Sequence, residues 1–258
     1  MVYTRLEPSP QELEDYYADY PAPDEIPATT IKRYDELLDR FERYRHTGRL
    51  IDVGCGAGHF LQRAALRGWE VHGTEFGQRP VAVCRARGIS IIEGPLDVAN
   101  YRPDHFDVIC SLEVIEHLVH PVAELQRMHT ILRPGGLVYI TTPNYRSVGH
   151  WISGSEWSIV QYPEHLCYFT SRTLSRTAAS AGFRQRWLLT TGVSLVRLWT
   201  KRSKDQTIRD AAVAGQEKLR SRMETAWHLK VAKKLADALL NLLRIGDSIK
   251  AGFEKPAQ

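Results

Sequence analysis

Residues 50–60 read Leu-Ile-Asp-Val-Gly-Cys-Gly-Ala-Gly-His-Phe, and no other stretch constrains the fold as tightly. An apolar run holding one Asp meets glycines at 54, 56 and 58, and amphipathic sequence follows at once. A short apolar run that ends in glycines predicts a buried strand, a tight turn and a helix N-terminus. Glycine lets the main chain take angles that other residues avoid, and lets a ligand approach the backbone closely. The stretch therefore predicts a strand–turn–helix with a ligand at the turn.

The residues that follow repeat the alternation. Strand readings at 70–75, 89–93, 106–111 and 137–142 are separated by helical stretches over 58–67, 80–87 and 122–132, and the turn 133–136 is Arg-Pro-Gly-Gly. Five alternations of strand and helix predict a parallel sheet with right-handed crossovers and helices on both faces. Ligands bind such sheets at the carboxyl ends of the strands. Upstream, Ser9-Pro10 can start a helix over 10–19, and Thr30 can cap a second one carrying Ile31, Tyr34, Leu37, Leu38 and Phe41. Downstream, 143–169 is a long aromatic loop with Trp151, Trp157, Tyr162, His150 and His165. A helix over 171–181, strand material over 183–199, helices within 205–243 and a last strand at 247–253 complete the chain.

Charge is split between the ends. Residues 1–30 carry seven acids against Arg5, whereas 201–246 carry eleven Lys and Arg against five acids. The basic segment has three readings: a packing or dimerising insertion, a helix on an anionic membrane surface, and a nucleic-acid contact. The first two are retained and nucleic acid is not expected; the oligomeric state is monomer or homodimer. No run nears the ~18 apolar residues of a membrane span, so a membrane-spanning protein is not expected. Four scattered cysteines (55, 84, 110, 167) lack zinc spacing and suit a reducing cytoplasm.

The glycine spacing separates two nucleotide-binding readings. A dinucleotide fingerprint needs glycine where His59 stands. Glu75, at the end of the second strand, can accept hydrogen bonds from both hydroxyls of a ribose. A nucleoside without a pyrophosphate fits these residues better.

At this point the chain resembles the class I S-adenosylmethionine-dependent methyltransferases. Residues 50–60 resemble their first motif, 109–118 (Ile-Cys-Ser-Leu-Glu-Val-Ile-Glu-His-Leu) their fourth-strand motif, and 132–137 the turn before their fifth strand. Residues 163–170 and 181–183 resemble the branch that holds ubiquinone-pathway and other small-molecule O-methyltransferases. The resemblance implies a Rossmann-like α/β fold with a seven-stranded sheet of order 3-2-1-4-5-7-6, strand 7 antiparallel. It implies S-adenosylmethionine as cofactor and S-adenosylhomocysteine as product. Three regions follow: an N-terminal cap at 1–47, a cofactor-binding domain at 48–200 and 247–258, and a helical insertion at 201–246 between strands six and seven.

By position, the resemblance assigns the main chain around Gly54, Cys55 and Gly56 to the methionine end of the cofactor, Asp52 and Gly58 to the cofactor site, and Glu75 to the ribose. Phe76 lies against the adenine and Leu96 offers an N–H at its edge, while Ser111 and Leu112 present carbonyls to the methionine amino group. Where many relatives have Gly-Asp before that Leu, this chain has Gly94-Pro95, so the adenine amino group needs Asp97 or a main-chain oxygen. Methyl transfer from a sulfonium needs alignment first and a base only for some acceptors. His165, Glu113 and His117 are the candidates for catalytic roles, each with a packing or capping role as the plain alternative. No metal is implied. The expected activity is transfer to an oxygen of a sugar, phenol or lipid-linked small molecule. The alternatives are an N-methyltransferase, a cofactor-binding scaffold and a dinucleotide oxidoreductase.

Overall fold

A computed structural model describes residues 1–4, 7–9, 11–13, 16, 23, 25–192 and 227–257. Its centre is a seven-stranded sheet. The strands are β2 (Arg49–Val53), β3 (Glu70–Glu75), β4 (Ser90–Glu93), β5 (Phe106–Leu112), β6 (Leu132–Pro143), β8 (Arg184–Thr191) and β9 (Ser248–Glu254). They lie in the order β4-β3-β2-β5-β6-β9-β8. In sheet numbering this is 3-2-1-4-5-7-6, and β9 runs antiparallel to both neighbours. The remaining pairs at the centre are parallel. The sequence expectation for the fold holds strand by strand.

The central strands are buried on both sides because their successive residues feed two different cores. Ile51, Ile109 and Val138 pack with Leu125 and Met128 of α4 (Pro121–Ile131) and with Leu174 and Ala178 of α6 (Ser171–Ser180). Their neighbours Leu50, Val108 and Leu137 pack with α1 (Ala28–Phe41), α2 (His59–Leu66) and α3 (Gln78–Ala86). Period-two alternation of apolar residues on both faces is what a sheet covered twice requires.

Three differences from the sequence reading have physical causes. Residues 133–136 are not a free turn but the start of β6, because Leu132 already pairs with Phe106 and the register shift between Phe106 and Val108 absorbs the irregularity. Val2–Tyr3 forms β1, an antiparallel pair with β7 (Cys167–Tyr168), so the N-terminus is tied beside the aromatic loop. Between β6 and β7 the loop contains α5 (Val148–Ser153), capped by the Ser147 side chain. After β8, α7 (Trp227–Leu243) packs on that edge strand through Asn241, whose side chain accepts from the Thr190 N–H. Most of the helix expected over 10–19, with Tyr17 and Tyr20, lies outside the described residues, as do residues 193–199 of the expected strand material and 201–226 of the expected insertion.

Candidate cofactor and acceptor site

The glycine turn closes onto the neighbouring strand. The N–H groups of Gly54 and Cys55 both donate to the Thr74 carbonyl (2.9 and 3.0 Å), and Gly58 N–H donates to Cys55 O (3.0 Å). The three glycines serve different ends. A Cβ at Gly54 would strike Val114 at 2.6 Å, and one at Gly58 would strike Ile89 at 2.6 Å, so these positions are shut by packing. A Cβ at Gly56 would meet nothing within 4 Å, and its φ of +53° suits glycine. Gly56 is where the turn opens to a ligand. Cys84 on α3 braces the turn from behind, its Sγ 3.3 Å from the Gly56 carbonyl.

Glu75 is more occupied than the sequence reading assumed. Its Oε2 accepts from Gly56 N–H (2.8 Å), and its Oε1 accepts from Phe76 and Gly77 N–H (2.8 and 3.0 Å). A carboxylate has about four acceptor positions, so Oε2 keeps one for a ribose hydroxyl. The second hydroxyl must share Oε1 with these amides. The side chain therefore shapes the turn as well as keeping an acceptor position open.

The remaining cofactor candidates converge on the same rim. Gly94 N–H donates to Glu75 O (2.9 Å), which brings the segment bearing buried Leu96 alongside. Asp97 is exposed, and its Oδ1 caps the following turn by accepting from Ala99 N–H (2.9 Å). Phe76 exposes 54% of its surface beside the turn, as a ring that takes an adenine face would. Buried Asp52 and Ser111 each keep a side-chain oxygen without a partner, Oδ1 and Oγ. Burial, with Glu75 and Cys84 nearby, pushes the Asp52 carboxyl up to about 8. Orphaned buried oxygens beside an open glycine fit a polar, cationic nucleoside ligand.

A second cluster lies beyond the end of β5. Glu113 sits in the left-handed region at φ +57° and is held by its N–H to Thr141 O and Oγ1 (3.0 and 3.1 Å). Glu116 is buried and both its carboxyl oxygens lack partners. Burial and the charge of Glu113 push its carboxyl well above the usual range. The His117 and His165 rings meet edge to face at 4.7 Å. Burial, with His165 close by, lowers His117 to about 4. Donor atoms of Glu116, His117 and His165 all lie within 4.8 Å of one another. His165 is buried, and its Nδ1 lies 2.6 Å from the Ile159 carbonyl. A carbonyl only accepts, so Nδ1 carries the proton and Nε2 of the neutral ring keeps a lone pair.

The aromatic loop divides by burial. Trp157 and Tyr168 form a small core with Ile159 and pack the loop down, whereas Trp151 and Tyr162 are 58% and 44% exposed. His150 bonds the Tyr145 carbonyl through Nδ1 (2.6 Å). The sequence reading did not single out Thr142, buried with an unpartnered hydroxyl, or Lys250. The latter had a signal: one lysine between apolar residues in a strand flanked on both sides.

Known proteins resemble this chain in sequence and in fold. A family model described as a methyltransferase domain matches residues 28–186. The ubiquinone biosynthesis O-methyltransferase of Aeromonas salmonicida is 30% identical over 151 residues, covering 54% of this chain and 63% of that protein. That of Pseudomonas syringae pv. tomato is 35% identical over 103 residues, covering 37% and 44%. Each match thus spans less than two thirds of the relative. Among solved structures, an S-adenosylmethionine-dependent methyltransferase from Archaeoglobus fulgidus superposes with a TM-score of 0.59 at 17% identity, covering 88% of this chain and 93% of that one. The [4+2]-cyclase SpnF superposes at 0.58 and 19% identity, covering 94% and 86%. Likeness at that identity shows the fold alone, and the cyclase marks that this fold hosts more than one reaction.

The chain belongs to the class I S-adenosylmethionine-dependent methyltransferase family, and S-adenosylmethionine is its cofactor. No helix among the described residues is long and apolar enough to cross a membrane.

Proposed function

We propose that the chain transfers the methyl group of S-adenosylmethionine to an oxygen of a small-molecule acceptor. The observation that carries this reading is the buried His165, whose tautomer is set by Ile159 and which has a ring nitrogen within 4.8 Å of donor atoms of Glu116 and His117. The naming of both curated relatives as O-methyltransferases supports it.

When bound, the cofactor supplies a methyl carbon already activated by a sulfonium. The chain's own residues position and protect. Glu75 holds the nucleoside end, the open side of Gly56 admits the methionine end, and the carbonyls of Ser111 and Leu112 take its amino group. Asp52, two residues before the turn, keeps an unpartnered carboxyl oxygen for the cationic end. The exposed rings of Trp151 and Tyr162 stand over the acceptor's entry. His165 Nε2 takes the hydroxyl proton as the new oxygen–carbon bond forms. The single-turnover transfer rate of His165→Ala is expected to fall by roughly 10²-fold or more, the scale of a lost general base. An unaltered rate ends this role.

A second reading of the same cluster has its own observation: both oxygens of Glu116 are buried without partners, facing two histidines. A carboxylate and two imidazoles suit a divalent cation, which would lower the pKa of an acceptor hydroxyl bound to it. Chelation with EDTA is then expected to lower the transfer rate, with Mg²⁺ or Mn²⁺ restoring it. A rate insensitive to chelation leaves His165 as the base.

We place the protein in the cytoplasm, where four free thiols suit the redox state. The three-region division is kept with it: the Asp35–Arg63 ion pair (2.8 Å) supports residues 1–47 as a cap on α2. Exposed Leu235, Leu239 and Leu242 on α7 support a peripheral membrane contact through 201–246.

A further inference from the structure

Lys250 has no part in the chemistry described above, yet it occupies a place where a lysine is costly. It lies in β9 between Ile249 and Ala251, both fully buried, and is itself half-buried. Burying an ammonium without a partner is unfavourable, so its position calls for one.

The sheet register says what surrounds it. Lys250 pairs with Thr141, and Thr141 pairs with Leu112. Residues directly opposite one another share a sheet face. On the next rung of that face, Gly252 pairs with both Tyr139 and Trp187. Helix α1 covers this face through Phe41, which packs edge to face on Tyr139. Arg33, Leu37 and Arg40 follow one another at helical spacing along α1. The Arg40 guanidinium lies over the Trp187 ring at 5.4 Å from its centroid. Arg33 stands two turns, about 10 Å, toward the helix N-terminus, within electrostatic reach of Lys250.

Lys250 and the exposed Arg33 and Arg40 of α1 thus lie toward one sheet face, on which Lys250 is two pairings from Leu112. Among the described residues none of the three forms an ion pair within 4 Å. The acidic groups facing Lys250 are Glu113, which is exposed, and Asp237, whose Oδ1 is bound by Gly192 N–H (3.1 Å). Burial, reinforced by Arg33, lowers the Lys250 ammonium from its usual value. Among the described residues, three cations and the exposed Glu113 carboxylate leave this face short of negative charge.

We propose that Lys250, with Arg33 and Arg40, is an anion receptor that holds a carboxylate or phosphate group of the methyl acceptor and so selects anionic acceptors. The anchored anion places the rest of the acceptor over Leu112 and Glu113, next to the methionine end of the cofactor. This deepens the transferase reading and rests on it.

The test uses the full chain loaded with S-adenosylhomocysteine and three probes: benzoate, phenyl phosphate and neutral benzyl alcohol, each followed by calorimetric titration. At least one anion is expected to bind ten-fold or more tightly than benzyl alcohol, and the stronger of the two names the group. Lys250→Met is expected to remove this preference and Lys250→Arg to retain it. Arg33→Gln, on an exposed position that leaves folding intact, is expected to weaken it several-fold. S-adenosylhomocysteine affinity in Lys250→Met should stay within about two-fold of the parent. Equal binding of charged and neutral probes overturns the proposal, as does survival of the preference in both Lys250→Met and Arg33→Gln. If Lys250→Met instead loses S-adenosylhomocysteine affinity, the cations serve the cofactor's carboxylate and the proposal is likewise overturned. If the parent chain fails to bind S-adenosylhomocysteine at all, the transferase reading falls. The anion preference is then read on the cofactor-free chain, and decides this proposal separately.

Discussion

Glu75→Ala is expected to weaken S-adenosylhomocysteine binding by on the order of 10³-fold. Two contributions add. The ribose loses a charged acceptor, and a hydrogen bond to a charged group contributes roughly 1.5–3 kcal/mol. The turn also loses the group that gathers the Gly56, Phe76 and Gly77 N–H groups around one carboxylate. Two such bonds amount to about 3–6 kcal/mol, and each 1.4 kcal/mol is a factor of ten in affinity. Calorimetric titration measures the effect. Glu75→Gln separates the contributions: it keeps one accepting oxygen for the turn but sets an NH₂ against an N–H on the other side, so its affinity should fall between the two. A Glu75→Ala protein that binds as tightly as the parent contradicts the ribose assignment.

The largest effect on stability is expected at Asp107, which has no role in the cofactor site. Its side chain is fully buried at the start of β5. Oδ2 accepts from the N–H groups of His46, Thr47 and Gly48 (2.9, 2.7 and 2.6 Å), and Oδ1 accepts from Arg133 Nε (2.5 Å). Arg133 in turn donates to the Tyr44 carbonyl. One carboxylate thus ties the end of the N-terminal cap, the lead into β2, β5 and β6 into a single node. Breaking a buried ion pair by removing one partner costs about 3–5 kcal/mol. At this chain length that lowers the midpoint of thermal unfolding by about 10 °C. Calorimetry of Asp107→Ala tests this, and a midpoint within 2–3 °C of the parent would falsify the node. Burial alone would raise the Asp107 carboxyl, but the Arg133 bond and the three backbone donors outweigh it and hold it below the usual range. A depressed folded-state value stabilises above the unfolded value of about 3.9 and loses that stabilisation as the pH falls further. The stability difference between the parent and Asp107→Asn should therefore shrink below about pH 4.

Residues near in sequence and residues near only in space were legible to different degrees. The glycine turn, the order of strands and helices and the antiparallel last strand were all readable. Hydrophobic period and glycine position are local properties, and a family resemblance carries topology. Glu75 was found because it ends a strand at a set distance from the turn. Its partners Phe76 and Gly77 are its immediate neighbours, yet the bonds depend on how the chain bends after β3. Residues 133–136 looked like a turn because Pro-Gly-Gly punctuates most chains. Pairing of Leu132 with Phe106 overrode that local preference.

The sequence by itself determined that this chain builds a doubly covered, largely parallel sheet with a glycine turn after β2. Successive apolar residues of the central strands bury both faces, and the open Gly56 lies in that turn. Tertiary structure alone decided how each charge is used. It gathered 59–61 residues of separation into the bonds of Asp107. It set the tautomer of His165 through a carbonyl six residues away. It brought Lys250 of β9 and Arg33 of α1 within electrostatic reach of each other. The turn at 54–58 is built from neighbouring residues, whereas Lys250, Arg33 and His165 come from β9, α1 and the loop before β7. Their convergence depends on strand register and helix packing, which no local sequence pattern records.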